Sequence, residues 1–349
     1  MCRPRQPFRR PRERPREALS LGAIELVPID PRLEGRAARR LKVAISALTY
    51  RRPEPLRQLL ASISALQRPQ ACELFLIIVD NDPEASATDL VQRTPTSWPV
   101  HYFHEPRRGI PVARNRAMRE ARALGADLLC FIDDDEVPDI AWLDCLVNKW
   151  RASDANLIGG PVEVLPPPHG ASVWRRFVNA GLAERMRRKN RRTNEAAMKG
   201  RRFTVVTNNW LGELPFFAER DLTFDETLLV TGGSDTMFHA HAKRRGAVTA
   251  WAADAVVREA MPLDRLTLRY QLRRGAMQSM QNFRLASPRI TGRVVGEVAV
   301  MAPLRLLSGL LLFVLPIYGV ASPVIAVRSI GWAIGRVAAL FGARSVLYS

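Results

Sequence analysis

Three carboxylates stand in a row at Asp133, Asp134 and Asp135, directly after the apolar run "LLCFI". Like charges bunched at the tip of a buried strand repel one another and need a countercharge. A divalent cation supplies one. An all-oxygen ligand set suits Mg2+ or Mn2+, which keep bound waters and complete their shells with substrate phosphates. A solvated acidic turn would also fit, because "DEVPDIAW" leads into a helix that Asp139 can cap. Two further polar clusters favour a site: Thr49-Tyr50-Arg51-Arg52 and Asp80-Asn81-Asp82, each again at the end of an apolar run.

The elements that must position these groups read as short strands at "VAISALT" (43–49), "LFLIIVD" (74–80), "VHYFHE" (100–105) and "LLCFID" (128–133). Between them lie helical patterns. Leu56, Leu59, Leu60 and Ile63 share one face, and "PVARNRAMREARALG" (111–125) opens with Pro and closes with Gly. Strands too apolar to alternate, interleaved with helices, indicate a mostly parallel sheet with helices on both faces. Ligands of such sheets bind beyond the carboxyl ends of the strands, where all three polar clusters fall. Neither GxGxxG after a strand nor GxxxxGK[ST] occurs, which disfavours dinucleotide-dependent dehydrogenases and P-loop kinases.

The sequence has 349 residues, 47% of them apolar, enough for one large or two ordinary domains with real cores. Its net charge of +18 points to polyanionic partners. Aromatic residues make up only 7%, and the basic residues gather in the tails, in one internal segment and beside apolar stretches. That pattern argues against nucleic acid as a partner. Cys2, Cys72, Cys130 and Cys145 form no CxxC pair and read as small core residues of a reducing compartment.

The segments "VAISALTYRRPEPLRQLLASI", "LFLIIVDNDP", "GIPVARNRAM", "FIDDDEVPD" and "GGSDTMFHAHAKRRG" resemble, in order and spacing, family 2 glycosyltransferases of the GT-A fold. The similarity runs over residues 42 to 275 and is nearest to bacterial exopolysaccharide glucosyltransferases of the succinoglycan type. The resemblance implies a Rossmann-like α/β domain and a set of roles. Tyr50 would lie near the uracil of a UDP-sugar, with Thr49 and Arg52 beside it. Asp80 would accept from the uracil N–H, next to Asn81. Arg114 and Asn115 would fix the nucleotide and the aspartates. Asp134 would sit near the ribose and Asp135 on a Mg2+ or Mn2+ ion, with Asp133 in support. Asp235 would be the general base of an inverting transfer. The family carries Glu-Asp where this chain has Ser234-Asp235, so the support of that base is altered. This departure leaves a non-catalytic nucleotide-sugar or glycolipid-binding relative as the alternative.

The same resemblance makes Glu259, Arg265, Arg273 and Arg274 candidates for the diphosphate or the acceptor. Gly159 and Gly160, in the strand "NLIGGPVEV" (156–164), would let backbone approach the donor sugar. Asn208, Asn209 and Trp210 would line the sugar, although Trp210 also suits a core. The QxxRW motif of processive synthases is absent, which implies one sugar per encounter.

Residues 1–40 read as a flexible basic tail suited to lipid headgroups, or as an over-extended gene start. The catalytic domain is expected over 41–290. Within it, 172–202 is a basic insertion, with Trp174, Phe177 and Leu182 at roughly helical spacing, suited to an anionic membrane surface. Residues 306–327 carry no charge and are long enough for a membrane segment, kinked by Pro316 and Pro323, inside a membrane-associated region 291–349. Together these imply an enzyme at the cytoplasmic face of a bacterial inner membrane, passing a sugar to a lipid-diphosphate-linked saccharide among inner-membrane lipids.

Overall fold

The computed structural model describes residues 35–36, 39–228, 233–286 and 290–343; most of the expected tail, 1–34, lies outside them. Among these described residues ten strands occur in chain order: β1 Leu41–Thr49, β2 Cys72–Asp80, β3 Val100–His104, β4 Leu128–Ile132, β5 Glu136–Pro138, β6 Leu157–Gly159, β7 Val162–Val164, β8 Asn209–Glu213, β9 Thr249–Trp251 and β10 Val257–Glu259. The helices are α1 Pro53–Ser64, α2 Thr88–Arg93, α3 Ile110–Ala123, α4 Trp142–Arg151, α5 Val173–Met198, α6 Leu214–Glu219, α7 Ser234–Arg244, α8 Leu268–Ala286, α9 Gly292–Val314 and α10 Ser322–Leu340.

Seven strands form one sheet in the order β3-β2-β1-β4-β8-β6-β9. The first four are parallel, and β8 enters antiparallel between β4 and β6. The period-2 geometry of a strand sends alternate residues to opposite faces. Val43, Ile45, Leu76 and Ile78 therefore pack on α1 and α4, while Ala44, Phe75, Ile77 and Val79 pack on α3. Both faces are covered, so β1, β2 and β4 could be apolar throughout.

The expected single strand at 156–164 is two strands in two sheets. Gly160 turns the chain out of the large sheet: a Cβ there would stand 2.3 Å from the Ala255 carbonyl oxygen and 2.7 Å from Asn209 Nδ2. The close approach that Gly160 permits is thus between parts of the protein, not to a sugar. Past it, β7 joins the small sheet β5-β10-β7.

The charge-free stretch 306–327 is not one helix. It comprises the end of α9, a turn through Pro316 and Gly319 (φ 56°), and the start of α10, where Pro323 occupies the first turn. The segments Gly292–Val314 and Gly319–Leu340 are each long and apolar enough to cross a membrane, with mean hydropathy 1.8 and 1.3. The second is 44% buried inside the protein. α10 runs alongside α8, because Cβ atoms at Gly331 and Gly335 would each lie 2.2 Å from a carbonyl oxygen, of Leu272 and Ala276 respectively. Small residues four apart allow backbones to meet this closely. The C-terminal helical unit therefore begins at α8, ahead of the boundary expected at 290.

The basic segment 172–202 is the helix α5. Its Val178 and Leu182 pack with Leu266 and Val324, and Gly181 lies against the Val320 carbonyl. The α5 face bearing Leu182, expected at a membrane, is covered by the C-terminal helices; Trp174 stays 56% exposed.

Candidate active site

Because β1, β2 and β4 are parallel neighbours, their carboxyl ends share one edge, and the polar clusters meet there. Thr49 Oγ1 donates to Asp134 Oδ2 at 2.9 Å. Arg52 Nη1 donates to Asp134 Oδ1 at 3.1 Å and to Asp135 Oδ2 at 2.9 Å. The Asp133 carboxylate lies within electrostatic reach of Arg114, and its backbone N–H donates to Glu136 Oε2 at 3.0 Å.

The second wall of the site comes from β10 and α7. Glu259 pairs directly across from Glu136 in the small sheet. Asp235 stands in the first turn of α7, where the helix dipole favours negative charge. Arg114, from α3, donates to Ser234 Oγ at 3.1 Å and stacks over Phe224 at 5.4 Å. One arginine thus lies between the aspartate row and the start of α7.

The electrostatics reflect the crowding. The Asp133 carboxyl is pushed up to about 6, first by burial on the cleft floor and then by Asp135, Asp134 and Asp235, against the opposing Arg114. Solvent still reaches Asp133 from the cleft. Asp134 is pushed up to about 6 by burial, with Arg52 opposing. Glu136 is raised by burial and by Asp133. Glu259 is raised to about 7 by burial, Asp135 and Asp133, while Arg265 and Arg274 pull it down.

Several residues have different work from that expected. Asp80 is fully buried and accepts from the backbone N–H groups of Asp82 (3.0 Å) and Ala87 (2.7 Å) and from the Tyr102 hydroxyl (2.9 Å). It shapes the 80–87 loop. Asn81 staples the 105–109 loop, donating to the Glu105 and Arg107 carbonyls and accepting from the Gly109 N–H. Asn115 does the same for Phe224 and Glu226. Asn209 is buried, donates to the Pro161 and Ala255 carbonyls, and accepts from the Trp142 indole at 2.8 Å. Trp210 is 1% exposed and packs among Phe131, Phe217 and Phe238. Arg273 is exposed and exchanges no hydrogen bond with the acidic cluster among the described residues. Asn208, by contrast, reaches the cluster and donates to Glu136 Oε1 at 2.9 Å. The guanidinium groups of Arg51 and Arg108 stand 5.6 and 5.1 Å from the Tyr50 ring.

Sequence reasoning missed Glu136. Its signal was there, as the fourth acid of "DDDE", but it looked like the lead-in to a helix. Arg51, part of the first polar cluster but given no role of its own there, adopts φ 53°, pairs with buried Asp82 at 3.0 Å and holds that carboxyl below its ordinary range.

Among the described residues, no three acidic, imidazole or thiol side chains gather closely enough to hold a metal ion by themselves. The oxygen-rich edge fits a cation that takes one or two protein ligands and completes its shell from phosphate and water.

The domain is a mostly parallel sheet flanked by helices, with carboxylates on its strand ends and an acid at a facing helix start. A family model described as Glycosyl transferase family 2 matches residues 46–214. Succinoglycan biosynthesis protein ExoM of Rhizobium meliloti (strain 1021) is 30% identical over 261 residues, covering 74% of this chain and 77% of ExoM. The chain belongs to glycosyl transferase family 2 and is a glycosyltransferase. Solved structures of S. aureus TarS 1–349 resemble it loosely. The complex with UDP gives TM-score 0.48 at 12% identity, covering 87% of this chain and 92% of that one. The complex with UDP-GlcNAc gives 0.48 at 10% identity, covering 86% and 92%.

Proposed function

We propose that this enzyme transfers one sugar from a UDP-linked donor to a lipid-diphosphate-linked saccharide, in exopolysaccharide or cell-envelope glycan synthesis at the cytoplasmic face of the inner membrane. The observation that carries the reading is the meeting of Asp133 and Asp235 across Arg114. A leaving-group site and an acid able to act as base then face a common space.

The acceptor hydroxyl gives its proton to an Asp235 carboxylate oxygen as its own oxygen attacks the anomeric carbon. The bond from that carbon to the diphosphate oxygen breaks on the opposite face, so an α-linked donor yields a β-linkage. Thr49 and Arg52 orient Asp134 and Asp135. Arg114 holds Ser234, and with it the first turn that carries Asp235. Asp135 and Asp133 would hold Mg2+ or Mn2+, which when bound offsets the charge of the departing diphosphate. Tyr50, beside two guanidinium groups, offers a ring for a uracil. The apolar helices α9 and α10 support membrane association, and ExoM's role in succinoglycan biosynthesis supports the exopolysaccharide setting.

The test is a screen of UDP-sugars by UDP release, with Mn2+, with Mg2+ and with EDTA. One sugar should give turnover that EDTA abolishes and Mn2+ restores. Undiminished turnover in EDTA would remove the cation, and no release from any UDP-sugar would remove the donor.

A further inference from the structure

A cavity of 740 Å³ lies between α5, α8, α9 and α10, beside the acidic site and separate from the strand ends. Arg185, Arg188, Lys189 and Arg192 line it from one face of α5, spaced so that they stack along the helix. Arg202, Arg305 and Arg328 close the other sides, and no carboxylate is among the lining residues. Arg188 pairs with Glu184, and Arg328 is held by Gln271 and Gln278. Arg185, Lys189, Arg192 and Arg202 have no carboxylate within ion-pair distance among the described residues. Such a concentration of one sign of charge destabilises a fold unless an anion answers it.

The cavity is joined to the chemistry at one end. Lys189 feels Asp235 and Glu259, which raise its pKa against the larger lowering from burial and Arg185. Arg274 lies within electrostatic reach of both Glu259 and Arg328. At its other end the walls turn apolar. Tyr318, Ile325 and Trp332 line the cavity, and beyond them α9 exposes Leu304, Leu307, Leu311 and Val314. A ligand that satisfies both ends carries several negative charges on a long apolar chain.

We propose that this cavity binds the diphosphate of the acceptor, with its apolar chain leaving along α9 and its sugar directed at Asp235. The assignment rests on the reading of the acceptor as a lipid-linked saccharide and adds where its charged group is held. The cations of α5 act on that diphosphate and not on the donor, which belongs to the edge formed by β1 and β4.

The experiment uses the full chain in neutral detergent micelles and a fluorescent short-chain isoprenyl diphosphate as probe. Wild-type protein should bind it. Arg185→Gln, and separately the exposed-site changes Arg192→Glu and Arg202→Glu, should each raise Kd about tenfold, equivalent to about 1.4 kcal/mol. Arg93→Glu, on α2 far from the cavity, should leave Kd unchanged. Phosphatidylglycerol vesicles and UDP should fail to displace the probe, and inorganic pyrophosphate should displace it only at higher concentration. Unchanged Kd in all three cavity variants overturns the assignment. Displacement by phosphatidylglycerol at matching concentration also overturns it, in favour of a general anionic-lipid surface, and displacement by UDP does so in favour of the donor. Binding of UDP-sugar by the wild type is read separately. Its absence beside intact probe binding sinks the donor reading alone, and its presence beside failed cavity variants sinks the cavity alone.

Discussion

Arg114 Nη1 donates to Ser234 Oγ at 3.1 Å, across 120 residues of chain. The same guanidinium opposes the upward shift of the Asp133 carboxyl. One side chain therefore ties the aspartate row to the helix that presents Asp235, and the hydroxyl at 234 serves as its acceptor.

Replacing Arg114 with Ala removes that tie and leaves Asp133 facing three acids unopposed. We expect kcat to fall about a hundredfold, and stability to drop by about 1–3 kcal/mol because a charged, buried hydrogen bond is lost. Steady-state transfer assays and thermal melts measure the two effects. Full kcat would show that the tie is idle.

Asp235→Asn keeps size and polarity but cannot take a proton. Transfer should fall by about two to four orders of magnitude with little change in Tm. A variant that retains its rate would place the base elsewhere, and Glu259 would be the next group to change.

The pH dependence of Glu259 has a definite sign. Its folded-state value is raised to about 7 from 4.5, so between these pH values the folded protein holds a proton that the unfolded chain has released. Stability from this group is therefore lost as pH rises through that window. Glu259→Gln removes the penalty. Its stability relative to wild type should climb between acid and mildly alkaline pH, by an amount on the order of 3 kcal/mol at most, and its Tm with it. A Tm difference that is flat with pH would refute the shift.

Two neighbouring asparagines separate site from scaffold. Asn209→Ala takes the partner from the Trp142 indole N–H and from the Ala255 carbonyl, while the Pro161 carbonyl keeps the Val257 N–H, and should cost about 2 kcal/mol. Asn208→Ala frees Glu136 at the edge of the site and should change kcat more than Tm. Reversed outcomes would exchange their roles.

The glycines of the C-terminal helices divide in the same way. Gly331→Ala must push α10 from the Leu272 carbonyl, costing about 1–3 kcal/mol. Gly296→Ala, on α9 with open space around its Cα, should stabilise by about 1 kcal/mol through helix propensity. Thermal melts in detergent compare the two, and equal effects would mean that α8 and α10 do not meet as described.

Apolar runs at 43–49, 74–80 and 128–132 determined the parallel core by themselves, because burial on both faces demands such runs and ligand-binding residues then collect at their ends. The family, the aspartate row and the candidate base were legible for the same reason: they sit in short local segments. Tertiary structure alone decided which polar residues face the cleft. Asn81, Asn115 and Asn209 have the composition of binding groups, yet each is engaged by donors or acceptors distant in sequence, and hydrogen-bond satisfaction across a fold leaves no local pattern to read. The cation-lined cavity is of the same kind. Its arginines come from α5, from the 201–206 segment, from α9 and from α10, which run separately through the sequence, and only the packing of the C-terminal helices brings them around one space.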